Sequence, residues 1–205
     1  MSEEHKNSDG LPLRIYRCAE SAEYAKRVMA HRDIEYALQC LIRLRDLSNL
    51  GGNDDLVRES LWSSAIVRAF SVFDGQNALS MDILDQLPEG AKEAYKFFRN
   101  YRSKHIAHKV NPIDQIKAGI ILSEPNLGKK EILGVGNLAM NDASFSDPEF
   151  VDSLGNFLDA LLKQIAKEIQ LWSDQVLEAA KKEDIDELYK LPPLRVVVPS
   201  SGHLH

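Results

Sequence analysis

A chain of 205 residues, 44% hydrophobic and 27% charged, carries enough apolar side chains for one well-cored domain and has a globular rather than disordered composition. No apolar run approaches the ~20 residues that span a bilayer, and the polar stretch Met1 to Gly10 lacks the apolar core of a signal peptide, so a cytoplasmic protein away from the membrane is expected. A net charge of −6 speaks against a protein that coats nucleic acid through a general positive field.

Residues 1–16 read as a flexible lead-in, with Leu11-Pro12-Leu13 the part able to pack. From about Arg17 to Leu50, Tyr24, Val28, His31, Ile34, Ala37, Leu38, Leu41, Ile42 and Leu44 recur at intervals of three and four, which predicts an amphipathic helix. Cys18 and Cys40 fall among its apolar positions and read as small core residues in a reducing compartment. Ser48 to Asp54 stops this helix and caps the next. The second helix, about Asp55 to Phe73, is apolar around most of its girth, so it is expected to be buried within the chain or in a subunit interface. Asp74-Gly75-Gln76-Asn77 ends it, and a short helix begins at Ser80 before the break at Pro88-Glu89-Gly90.

A third main helix is predicted from Ala91 to His108 or Lys109, ended by Pro112, because the residue before proline is pushed out of helical geometry. Ile116 to Leu122 and Glu131 to Val135 are β-prone around a turn-rich Glu124 to Gly128, predicting a hairpin or flap over 116–140. Gly134-Val135-Gly136-Asn137-Leu138-Ala139 lacks the third glycine and the βαβ setting of a dinucleotide loop and reads as a turn. Pro148 opens a last long helix running to about Lys182. Residues 191–205 form an extended tail in which prolines bracket Val196-Val197-Val198, and the helical domain proper spans 17–190.

The end of the third helix gathers the groups that handle a phosphate or a proton. Arg102-Ser103-Lys104-His105-Ile106-Ala107-His108 places a guanidinium, an ammonium and two imidazoles within seven residues. Around it, Lys92, Lys96, Arg99, Arg102, Lys104 and Lys109 stand against one acid, Glu93, a local basic stripe on an acidic body. The stripe suits a small phosphate-bearing site, or it is a solvated helix face. On a regular helix Arg102 and His108 are separated by about 9 Å of rise and roughly 120° of azimuth. A second copy across a two-fold axis would bring two Arg and two His together. An imidazole titrates near neutrality and can remove or return a proton. A guanidinium can stabilise charge growing on a pentacovalent phosphorus.

This heptad at the close of a bundle helix resembles the signature of the HEPN superfamily, in which Arg is followed by four to six residues and then His. It looks most like the abortive-infection (AbiU-type) branch, and the preceding helix, Leu61 to Asp74, is similar to that branch too. The likeness covers about residues 20 to 110 and 148 to 180, leaving flap and tail outside it. The resemblance implies a mainly α fold, an up-and-down bundle of four to five helices, here with a small β-hairpin or flap insertion. It also implies a homodimer with the two motifs at a shared cleft and a metal-independent endoribonuclease activity. By motif position Arg102 and His108 would be the catalytic pair; Ser103, Lys104, His105 and Arg99 would be accessory or substrate-binding, with Ser103 standing where Asn or Asp is usual. RNA is the expected substrate, no cofactor is called for, and an antitoxin or nucleotidyltransferase is a candidate partner in a prokaryotic defence or toxin–antitoxin system.

Three other readings stay open. Arg102 and His108 can pair with acids such as Asp82 or Asp85 and simply finish the bundle. His105 and His108, three apart, can ligate a metal, although no third ligand stands at matching spacing and Lys104 and Lys109 oppose a cation. Finally, the chain can be a non-catalytic HEPN-type module that docks a protein or nucleotide partner through the flap or the tail. His203 and His205 read as solvated tail residues.

Overall fold

The first long helix forms where the three-and-four spacing predicts it. The computed structural model describes residues 13–49, 54–107, 115–124, 130–140 and 146–194, with backbone alone at 105–107, 115–119 and 136–140. In it, α1 spans Ala19–Asn49 and buries Ala30, Ile34, Ala37, Cys40, Leu41 and Leu44 on one face. Ile42, expected on that stripe, is 56% exposed, because the stripe narrows once Leu41 and Leu44 take the inward positions. Cys18 lies just before the helix and is half-buried rather than core: its N–H donates to Ser21 Oγ at 3.0 Å, while Ser21 N–H meets its Sγ at 3.3 Å. The reciprocal pair satisfies donors that a helix start leaves without an intrahelical partner. Cys40 is buried and free, and burial pushes its thiol above the ordinary range.

Helix α2 is Asp55–Ser71, capped by Asp54, whose carboxylate accepts from Val57 N–H at 3.2 Å. It buries Trp62, Ala65, Ile66, Ala69 and Phe70, yet Leu56 is 73% exposed, so its apolar girth is covered on one side only. Gly75 then takes φ +82°, a left-handed turn open to glycine at no steric cost. A 3-10 turn, Met81–Gln86, is capped by Ser80, and Gly90 at φ +85° precedes α3, Ala91–Tyr101. From Arg102–Ala107 the winding widens to a π-helical turn, so the rise and azimuth of a regular α-helix do not apply between Arg102 and the residues after it. The expected stop at Pro112 lies outside the described residues.

Strands β1, Gln115–Leu122, and β2, Ile132–Met140, pair antiparallel from Gln115↔Met140 to Leu122↔Ile132, with an irregularity between Ile121 and Leu122. The hairpin is therefore as predicted, but Gly134 to Ala139, expected to turn, runs as strand, because the ladder pairs Gly134, Gly136 and Asn137 with Ile121, Gly119 and Ala118. Helix α4, Pro148–Ala180, starts with proline at its first position and with Asp147 accepting from Glu149 N–H at 3.0 Å. A short helix unforeseen from periodicity, α5, Ile185–Lys190, follows under the cap of Asp184.

The chain divides into two compact units, Ala30–Ile165 and the pairing of Met1–Met29 with Ala166–His205. The first is cored by aromatics from α2, α3 and α4. Trp62 meets Phe98, Tyr101 and Phe150 with ring centroids 6.4, 6.0 and 5.7 Å away, and Phe70 stacks on Phe157 at 6.1 Å. In the second unit Arg27 donates to Glu168 at 2.7 Å and Glu23 at 2.6 Å and lies 4.9 Å over the Trp172 ring. There the lead-in and tail meet as an antiparallel bridge: Arg14 opposes Pro193, Ile15 N–H donates to Pro192 O at 2.8 Å and Leu194 N–H to Leu13 O at 3.0 Å. Val196-Val197-Val198 lies outside the described residues. Among the described residues no helix is long and apolar enough to cross a membrane.

Candidate functional site

Tyr101 ends α3 with its side chain inside the core, its hydroxyl accepting from the Trp62 indole at 3.0 Å. That anchor fixes where the next residue leaves the helix. Arg102, first residue of the π turn, is half-buried, and its Nη1 donates to Asp74 Oδ2 at 2.6 Å. Asp74 comes from the turn after α2, and its other oxygen faces Arg99 Nη2 at 3.5 Å. Arg99 also donates to the Tyr95 hydroxyl one turn back and lies 5.6 Å from that ring's centroid. One carboxylate thus steadies two guanidiniums on the face that leads into the motif. A guanidinium has five N–H donors, and Asp74 engages one nitrogen of Arg102, so the fork keeps donors for an incoming oxyanion.

The remaining predicted residues are treated unequally by the fold. Ser103 is exposed, and its hydroxyl donates to the Arg99 carbonyl at 3.1 Å, the back-bonding typical of serine inside a helix. Lys104 is exposed. His105 belongs to the π turn by its backbone, its side chain lying outside what is described, and His108 lies wholly outside the described residues. The structure therefore brings Arg99 and Arg102 together and joins Ser103 to them through Arg99.

Neither Asp82 nor Asp85 is the partner of Arg102. Asp85 pairs with Lys92, and Asp82 accepts from the Ser80 hydroxyl at 2.8 Å. With Asp74 on Arg99 and Arg102, acids from outside 92–109 answer three cations of the basic stripe, which is less positive than its own sequence implies. Asp74 and Tyr95 were missed as site residues. The i,i+4 spacing of Tyr95 and Arg99 was readable, whereas nothing linear joins Asp74 to Arg102. No family model, curated protein or solved structure matches the chain. The site accordingly rests on its own geometry.

Two cavities lie in the same unit as these residues. One of about 260 Å³ opens next to Lys92, Tyr95 and Lys96, and another of about 370 Å³ lies between Arg45 and Ser48 of α1 and Pro148 and Asp152 of α4. Among the described residues no three His, Cys, Asp or Glu side chains are grouped to hold a metal ion.

The Asp74 pairs are partly solvated, with side-chain exposures of 40% for Asp74 and 26% for Arg102. Asp74→Asn is therefore expected to lower unfolding free energy by no more than about 1 kcal/mol, and by less in high salt. Urea titration at low and high ionic strength measures this; a loss well above that range would make Asp74 a fold determinant rather than an orienting group.

Proposed function

We propose that the chain is a metal-independent endoribonuclease of the HEPN type, acting as a homodimer in a prokaryotic defence or toxin–antitoxin system. The observation that carries this reading is the Arg102 guanidinium, half-buried at a π-helical turn and held in place by Asp74. Single π turns concentrate at functional sites, and a pre-oriented guanidinium is the group that stabilises charge on a phosphorus under attack. In the reaction, His108 takes the proton from the RNA 2′-oxygen, which bonds to the adjacent phosphorus. The phosphorus–O5′ bond breaks, leaving a 2′,3′-cyclic phosphate and a 5′-hydroxyl that recovers a proton. Arg102 meets the charge on the non-bridging oxygens. Lys104, Arg99 and His105 contribute to holding the strand, and Ser103 orients the turn through Arg99.

Purified protein incubated with tRNA and with mRNA, with and without EDTA, tests this. Products ending in 2′,3′-cyclic phosphate that form equally in EDTA are expected. Products abolished by EDTA would move the chemistry to a metal, and no products at high protein concentration would remove the activity.

A second reading, a binding module without catalysis, is favoured by one observation. The hairpin exposes Ile120, Ile121, Leu122, Ile132, Leu133 and Val135, each by half or more. The same incubation separates the two, because a binding module leaves the RNA intact.

A further inference from the structure

We infer that the distal half of the β1–β2 hairpin is a self-association surface, occupied in solution by the hairpin of a second copy of this chain. Ile120 and Val135 oppose each other across the ladder, as do Leu122 and Ile132, so these four share one face. They are 63%, 78%, 60% and 70% exposed, while Ile121, paired with Gly134, belongs to the other face. Together the four leave several hundred Å² of apolar surface in water, a substantial part of the ~800 Å² that each partner contributes to a stable interface. Patches of this size on a soluble chain mark contact sites.

The occupant follows from charge and hydrogen bonding. All nine residues of β2 are uncharged and include no proline, and β1 has a single charge, Lys117. Exposed edge strands are ordinarily blunted by charge or proline, and neither is present along β2. Along the two strands a partner chosen by charge would have Lys117 alone to read, the exposed Glu124, Lys130 and Glu131 standing at the tip beyond them. Two identical hairpins, in contrast, meet across a two-fold axis with no like charges opposed along β2. Among the described residues the sheet has two strands only, leaving an outer edge of backbone groups on each. Buried in lipid hydrocarbon those groups would lack partners at several kcal/mol apiece, whereas a second hairpin can satisfy them. A lone two-stranded hairpin is also marginal in water, and three or more strands stabilise it. The inference concerns assembly and does not depend on RNA cleavage.

Light scattering behind size exclusion on the full chain tests it. The natural chain is expected to be a dimer at micromolar concentration, and Ile120→Asp with Val135→Asp to raise the dissociation constant at least tenfold with unchanged helical circular dichroism. Val135→Asn alone, a milder change at an exposed position, is expected to shift it in the same direction. Leu177→Asp, at an exposed apolar residue of the other unit, is expected to leave the dimer intact. A monomeric natural chain, a dimer that survives both hairpin variants, or loss of the dimer in Leu177→Asp overturns the inference. So does a monomer that floats with phosphatidylglycerol vesicles, which would assign the patch to lipid. A dimer that survives both hairpin variants would leave the ribonuclease reading standing while ending this one.

Discussion

On the proposed ribonuclease reading, Arg102→Ala is expected to lower the rate of RNA cleavage by a factor of about 10²–10³, the usual effect of removing one pre-oriented donor from developing charge. The fold should survive, because among the described residues the ion pair lost is the partly solvated one with Asp74, worth at most about 1 kcal/mol. Arg102→Lys keeps a positive charge that can still meet Asp74 but loses the planar fork, so only partial activity is expected. His108→Ala should lose about 10²–10⁴ through the missing proton transfer. Asp74→Asn is expected to fall between these and the natural chain, since it leaves the guanidinium in place but less firmly aimed. Single-turnover rates on one labelled RNA, with melting curves run alongside, measure all four. Cleavage at the natural rate in both Arg102→Ala and His108→Ala would take the motif out of the chemistry.

The same motif shows where sequence reasoning reaches and where it stops. Helical periodicity is local, so α1, α2, α3 and α4 were legible from spacing, and their starts from Asp54, Gly90 and Pro148. The hairpin was legible from β-branched runs flanking a turn-rich stretch. Gly134 and Gly136 misled because glycine is weighted towards turns, while a paired strand tolerates it once neighbouring residues fix the ladder. Helix α5 is too short to show a period, yet its start carried a signal. Asp184 accepts from Asp186 and Glu187 N–H at 2.8 and 3.4 Å, and Asp184 with Glu187 three residues later has the spacing of a capping box. The π turn had no such signature, because composition does not distinguish i→i+5 from i→i+4 bonding. Asp74 was the largest omission. It was read as a helix stop, and its pairing with Arg102, 28 positions on, exists only once α2 and α3 are packed.

That packing leads to the largest expected effect on stability. Trp62 is 2% exposed, touches Phe98, Tyr101 and Phe150, and donates its indole N–H to Tyr101. Trp62→Ala should cost about 3–5 kcal/mol, since both the transfer energy and the cavity left behind count against the variant. For a chain of this size the melting temperature would fall by on the order of 10 °C. The hydrogen bond can be separated from the packing. Tyr101→Phe keeps the ring but leaves the indole N–H buried without its acceptor, at about 1–3 kcal/mol. In a Trp62→Phe background that donor is gone, so Tyr101→Phe should cost markedly less there, and the difference between the two costs is the coupling. Chemical unfolding of the two single variants and the double variant completes the cycle. Equal costs in both backgrounds would mean that the Trp62 bond contributes nothing to how Tyr101 ends α3 and presents Arg102.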